Sequence, residues 1–178
     1  MDIPHPHFDL LERCRDGHRE SQFELYRLYS RAMYNTALRM VQNPHDAEDL
    51  LQSVFVEVFG KIDTFRFESS VGAWIKRITI NKTINFLKSR RLAVQELTAS
   101  HDLAPEPEPE TEPAYTVERI REAVAKLPDG YRVVFSLYAI EGYDHEEIAQ
   151  ILNITEATSK SQYSRAKAKL RDMLTQSS

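Results

Sequence analysis

The sequence is poor in the residues that build rigid small scaffolds, nucleotide cradles or metal centres. Its single cysteine, Cys14, cannot form an internal disulfide, so a structural or free thiol in a reducing compartment is expected. Only 5 glycines are present in 178 residues, with no Gly-rich phosphate loop and no long apolar–polar alternation. That pattern leans toward an all-α fold. His5, His7, His18, His45, His101 and His145 are scattered rather than set at ligand spacing, so no metal and no cofactor is expected. Beside Glu146 and Glu147, His145 reads as a solvated residue. No apolar run approaches the roughly 20 residues that span a bilayer, so no membrane insertion is expected. The opening residues, Met1 to His5, lack the basic and apolar regions of a secretory signal, and a cytoplasmic protein is the expectation.

Charge of one sign is also missing on average, since 27 acids face 23 Lys and Arg for a net of −4. The average hides a pattern. Lys76, Arg77, Lys82, Lys88, Arg90 and Arg91 form an acid-free segment. Glu96, Asp102, Glu106, Glu108, Glu110, Glu112 and Glu118 then form a base-free one. Lys160, Arg165, Lys167, Lys169 and Arg171 restore the basic sign. Local patches of this kind, rather than net charge, mark contact with nucleic acid.

The acidic segment contains Pro105, Pro107, Pro109 and Pro113. It carries too little apolar surface to offset chain entropy, and its prolines forbid a continuous helix. Residues 93–115 are therefore read as a flexible acidic, Pro-rich linker between modules 1–92 and 116–178.

In the first module, Phe23, Tyr26, Tyr29, Met33, Tyr34, Ala37, Leu38 and Val41 fall at helical spacing. Asn43 suits an N-cap and Pro44 a first helical position; Ala47, Leu50, Leu51, Val54, Phe55 and Val58 continue the buried stripe, and Gly60 suits a stop. A third helix is expected from Val71 to about Arg91, although it is rich in β-branched residues. In the second module, helices are expected around Val117–Leu127, around Val133–Ile140, from Asp144 to Leu152, and from Glu156 to about Leu174.

Three groups of residues stand out. The first is the Tyr143–Leu170 stretch, which has the form of a helix-turn-helix. Small Ala149 permits a close crossing, Ile154 plugs the angle and Thr155 caps the second helix. Ala157, Tyr163, Ala166 and Leu170 form its expected inner face. Thr158, Ser159, Lys160, Ser161, Gln162, Ser164, Arg165 and Lys167 remain for DNA. The plain alternative is a helical hairpin with a solvated basic face. The second group is Phe65, Arg66, Phe67, Ser69 and Ser70, followed by a basic helix bearing Trp74. Aromatics beside cations can hold unstacked bases, or they can serve a core. The third is Asp46, Glu48, Asp49, Gln52 and Glu57, with Phe55, Phe59 and Ile62. These acids either serve a helix N-terminus or form a docking face for a large basic partner.

These motifs resemble the extracytoplasmic-function (group IV) sigma factors of the sigma-70 family. The residues concerned are Tyr26–Tyr29, His45–Phe55, Phe65–Ser69, Ala73–Ile78, Asn81 to Arg91, Leu127–Phe135 and Glu146 to Ser161. The resemblance implies two small helical domains, the second a four-helix helix-turn-helix module, and a transcription initiation factor rather than an enzyme. It implies core RNA polymerase (clamp helices and flap), promoter DNA and an anti-sigma factor as partners of a chain that is monomeric when free. By position, Asp46, Glu48, Asp49, Gln52, Phe55, Glu57, Phe59 and Ile62 would meet polymerase. Phe65, Arg66, Phe67, Ser69, Ser70, Lys76, Asn81, Lys82, Asn85, Lys88, Arg90 and Arg91 would recognise and melt the −10 element. Thr158 to Gln162, Ser164, Arg165 and Lys167 would read the −35 element. Two departures are visible. Ala157, Ser159 and Tyr163 stand where such proteins usually carry glycine and aliphatic residues, and Phe67 stands where glycine is common. A conventional operator-binding regulator, or a helical adaptor for an acidic protein, remains an alternative.

Overall fold

The computed structural model describes residues 7–95 and 115–176, with side chains for 7–90 and 115–175. Of the expected linker, 93–115, residues 96–114 lie outside them, while Ala93–Gln95 continue the helix that begins at Val71 and Tyr115 packs on a core cluster of the second module. Among the described residues there is no strand. The chain divides into two compact units, Met1–Lys88 and Ser89–Ser178.

The first unit is built on α1 (Phe8–Arg15), α2 (Arg19–Val41), α3 (Pro44–Lys61) and α4 (Val71–Gln95), with a short 3-10 turn at Ile62–Thr64. Helix α3 starts as the sequence implies. Asn43 accepts hydrogen bonds from the amides of His45 and Asp46 at 2.9 and 3.2 Å, and Pro44 opens the helix. Such a cap contributes about 1 kcal/mol. Gly60 does not stop it: the helix runs on to Lys61 because the 3-10 turn, not a left-handed glycine, ends the run. Helix α1 was not legible in the sequence. Its Leu10, Leu11 and Cys14 are buried against Leu25, Val54, Val58 and Ile75. Burial pushes the Cys14 thiol up in pKa, so it packs as a small apolar residue.

The apolar face of α2 is narrower than its spacing suggests. Leu25, Met33, Ala37, Met40 and Val41 are buried, but Phe23 is 66% exposed. In α4 the β-branched residues fit a helix because the threonine hydroxyls turn inward. Thr79 donates to the Ile75 carbonyl at 2.9 Å and Thr83 to the Thr79 carbonyl at 2.8 Å. Both are fully buried beside Ile75 and Ile80, so the back-bond to the preceding turn satisfies a hydroxyl that would otherwise be orphaned. Gly72 lets the first turn lie on Tyr29, because a Cβ there would meet the ring at 3.0 Å.

The second unit comprises α5 (Val117–Ala125), α6 (Asp129–Phe135), α7 (His145–Leu152) and α8 (Glu156–Gln176). A π-helical segment, Ser136–Ile140, continues α6. Ala123, Val124, Leu127, Ala166, Leu170 and Leu174 form one core cluster, while Leu137 and Ile148 are fully buried elsewhere in the unit. Arg132 is buried and closes the end of α5: its Nη1 donates to the Leu127 carbonyl at 2.6 Å, and its Nη2 pairs with Asp129. No described helix is long and apolar enough to cross a membrane.

Candidate nucleic-acid interface

The helix-turn-helix is set by local polar caps. Asp144 and Glu147 form a reciprocal capping box at the start of α7, at 2.9 and 2.8 Å. Asn153 then turns the chain with φ 55, a left-handed position that asparagine tolerates better than most residues. At the start of α8, the Thr155 hydroxyl accepts from the Thr158 amide at 3.0 Å.

Once α8 is placed, its expected DNA-facing set divides. Lys160, Ser161 and Ser164 are exposed on one face, with Thr158 and Lys167 exposed beside it and Arg165 and Gln162 half-buried. Lys160 is paired with Glu156 at 2.6 Å, one helical turn away. The hydrogen bond and charge of Glu156 raise the Lys160 pKa. Ser159 does not face DNA. It is fully buried, and its Oγ lies 2.9 Å from His145 Nδ1. Burial therefore removes Ser159 from the reading face. His145 is likewise not a simply solvated residue: it is half-buried and stacks on Tyr138 with ring centroids 4.4 Å apart. Tyr163 fills the inward gap on α8, 4.5 Å from Tyr138 and 5.7 Å from His145. Lys167 lies over its ring at 4.9 Å. Burial, then the neighbouring Tyr138, pushes the Tyr163 hydroxyl up in pKa. Of the expected inner face, Ala166 and Leu170 are buried, while Ala157 is exposed.

In the first unit the loop between the 3-10 turn and α4 also departs from expectation. Phe65 is buried, with its ring 5.1 Å from Trp74 and 4.9 Å from Phe67. It is a core residue and cannot stack a base without leaving that core. Phe67 is half-buried between Phe65, Phe8 and Arg15, and holds φ 60. Arg66, Glu68, Ser69 and Ser70 are the exposed residues of the loop. The Ser70 hydroxyl accepts from the Ala73 amide at 3.1 Å, capping α4. Along α4, Asn81, Asn85 and Lys88 fall at i, i+4 and i+7 and are exposed, as is Arg90. Lys76 and Lys82 are half-buried; the Arg91 side chain lies outside those described.

The α3 surface separates in the same way. Glu48, Asp49 and Gln52 are exposed, Asp46, Glu57 and Phe59 are half-buried, and Phe55 and Ile62 are buried. Phe55 packs on Tyr26 at 4.8 Å and Ile62 belongs to the core, so neither can meet a partner. A residue missed by the sequence reading is Val56, which is 75% exposed. Helical phase was the available signal, since 49, 52 and 56 share one face. Glu57 joins α3 to α4 through Lys82 at 2.9 Å and also holds Lys61 at 2.5 Å. Hydrogen bonds from Lys61 and Lys82 keep its carboxyl below the usual range.

Comparison with known proteins puts these surfaces in a family. The Sigma-70 region 2 family model matches residues 25–92, and the Sigma-70 region 4 model matches residues 117–170. The chain is 32% identical over 154 residues to the ECF RNA polymerase sigma factor SigM of Bacillus subtilis, covering 83% of this chain and 91% of the relative. The chain belongs to the ECF sigma factors of the sigma-70 family. A second ECF sigma factor, SigE of Mycolicibacterium smegmatis, is 33% identical over 156 residues. That match takes in 85% of this chain but only 60% of the longer relative. Among solved structures, that of CnrH in complex with the cytosolic domain of CnrY aligns with a TM-score of 0.57 and 25% identity, covering 95% of this chain and 97% of that one.

In this ECF sigma factor the region 2 match takes in most of α2, all of α3, the Phe65–Ser70 loop and most of α4. The region 4 match takes in α5 to α7 and α8 as far as Leu170. Helix α1 lies outside both.

Proposed function

We propose that this ECF sigma factor binds core RNA polymerase and directs it to promoters by a two-point contact with DNA. In this reading residues 1–92 dock on polymerase and open the −10 element, 116–178 read the −35 element, and the acidic segment between them joins the two. The observation that carries it is the outer face of α8, where Lys160, Ser161 and Ser164 are exposed on a helix capped by Thr155 and packed through Ala166 and Leu170. A helix so placed can enter the major groove with its N-terminal half. Thr158, Gln162, Arg165 and Lys167 flank that face and supply base or phosphate contacts.

For the −10 element, Arg66, Ser69 and Ser70 of the loop act with Lys76, Asn81, Lys82, Asn85, Lys88, Arg90 and Arg91 of α4. The exposed acids of α3, with Phe59 and Val56, form the polymerase-docking face. The clamp helices and the flap are the polymerase elements engaged. An anti-sigma factor would compete for the same surfaces, and the solved complex of CnrH supports a protein partner for the family. The chain acts in the cytoplasm as a monomer when free, and as an initiation factor rather than an enzyme.

Run-off transcription tests the reading. Core polymerase plus this protein should yield a promoter-dependent transcript that core alone does not. Absence of any such transcript across a genomic promoter library would sink it. Gel shift adds a second check, because strong dimeric binding of the free protein to duplex DNA would favour an operator-binding regulator.

A further inference from the structure

The loop placed at the −10 element is held by a residue far from it in sequence. Arg15, in the last turn of α1, donates from Nε to the Ile62 carbonyl at 3.3 Å and from Nη2 to the Phe65 carbonyl at 2.6 Å. Its Nη1 pairs with Glu12, which aims the fork. The same guanidinium lies over the Phe67 ring, 5.2 Å from the centroid. Phe8, at the other end of α1, packs on Phe67 at 4.9 Å. One short helix thus grips the carbonyls at both ends of the turn entering the loop, and the ring that follows.

That grip matters because of the backbone. Phe67 sits at φ 60, a left-handed conformation that costs a bulky residue about 1 kcal/mol or more and persists only where its surroundings impose it. Arg15, Phe8 and Phe65 supply such imposing contacts. A lysine could not reproduce them, because an ammonium is a point donor without the planar fork that reaches two carbonyls and lies over a ring. Arg66, Glu68, Ser69 and Ser70 are exposed, so fixing the Phe65 carbonyl and the Phe67 ring fixes the direction in which these residues point.

We infer that Arg15, supported by Phe8, is a positioning residue that preorganises the Phe65–Ser70 loop for capture of an unpaired promoter base. The inference rests on the functional reading above. Preorganisation lowers the ordering cost of binding, and its loss degrades discrimination as well as strength.

The test uses full-length protein assembled with core polymerase, on a promoter obtained by selection with the wild-type holoenzyme. Open complex is measured by permanganate reactivity, as is its ratio between the preferred and a substituted base at each −10 position, with core binding, helix content and hydrogen exchange followed alongside. Arg15→Ala should reduce opening about ten-fold and bring the ratio at one position close to one. Arg15→Lys should not restore that ratio. Core binding and helix content should stay unchanged, and amides of residues 65–70 should lose hydrogen-exchange protection. Arg15→Gln keeps a shorter stem and one donor nitrogen, and serves if the alanine variant fails to fold; it should show an intermediate ratio. Reduced opening with every base ratio intact would reduce Arg15 to a structural residue and overturn the inference, as would unchanged loop protection. Wild-type holoenzyme that opens no promoter would overturn the functional reading instead, a result distinct from both arms.

Discussion

The two parts of this sigma factor proposed to meet DNA are held in different ways. In the second unit, the first turn of α8 is set by neighbours close in sequence: Thr155 caps it from the residue before, and His145 reaches Ser159 across the turn. In the first unit, the Phe65–Ser70 loop is set by Arg15, some 50 residues earlier. A reading helix must present a regular face, and regularity comes from the helix itself once its start is fixed. A loop has no repeating hydrogen-bond ladder, so its shape must be imposed from outside. The difference teaches that the start of α8 is fixed locally and its later turns by the core they share with α5, whereas the Phe65–Ser70 loop owes its shape itself to a distant residue.

Deleting core volume should have the largest effect and tests both parts at once. Leu25→Ala in the first unit and Leu137→Ala in the second each remove a fully buried side chain. Each should cost about 2–5 kcal/mol in urea denaturation. If only Leu25→Ala also loosened residues 65–70 in hydrogen exchange, the loop's dependence on tertiary packing would be sharpened.

Next in size is the reading face. Arg165→Ala combined with Lys160→Ala should reduce −35-dependent transcription roughly ten- to a hundred-fold, on the order of 1–3 kcal/mol. Opening on a template premelted at −10 should be nearly spared. An equal loss on both templates would break the separation between the parts.

Thr155→Val removes the α8 cap and should cost about 1 kcal/mol. Ser159→Ala removes the partner of His145 and should cost a similar amount, about 1 kcal/mol. Hydrogen exchange should rise at the first turn of α8 in both and stay unchanged at residues 65–70. Spread of the effect to the loop would contradict the local character assigned to the start of α8.

The smallest effect concerns pH. Lys61 and Lys82 hold the Glu57 carboxyl below its ordinary pKa. Its contribution is therefore present above the unfolded pKa and is lost as pH falls through the lower folded value. For a partly exposed pair this amounts to about 0.2–1 kcal/mol. Acid titration of stability should be shallower in Glu57→Gln; identical profiles would remove Glu57 as a link between α3 and α4.

Much of this was legible beforehand. Asn43-Pro44 announced α3, and Thr155 announced α8, because a cap is a property of a few adjacent residues. Four site assignments failed for one shared reason. Ser159, Phe65, Phe55 and Ile62 were assigned by their place in a motif, but all are buried. Composition cannot tell a serine facing DNA from one bonded to a histidine on the preceding helix. Val56 was missed in the opposite sense, as an apolar residue left in solvent among acids. Helix α1 escaped because eight residues give little more than two turns of periodicity.

The sequence by itself determined the all-α class, the starts of α3, α4 and α8, the family, and the order of the region 2 and region 4 motifs. Those follow from period, caps and turn residues, which are local physics. Tertiary structure alone decided which side of α8 faces outward around Tyr163 and Ser159, which aromatics serve the core, and what grips the Phe65–Ser70 loop. Those depend on contacts between residues far apart in the chain: Arg15 meets Phe65 because α1, α2 and α3 share a common core.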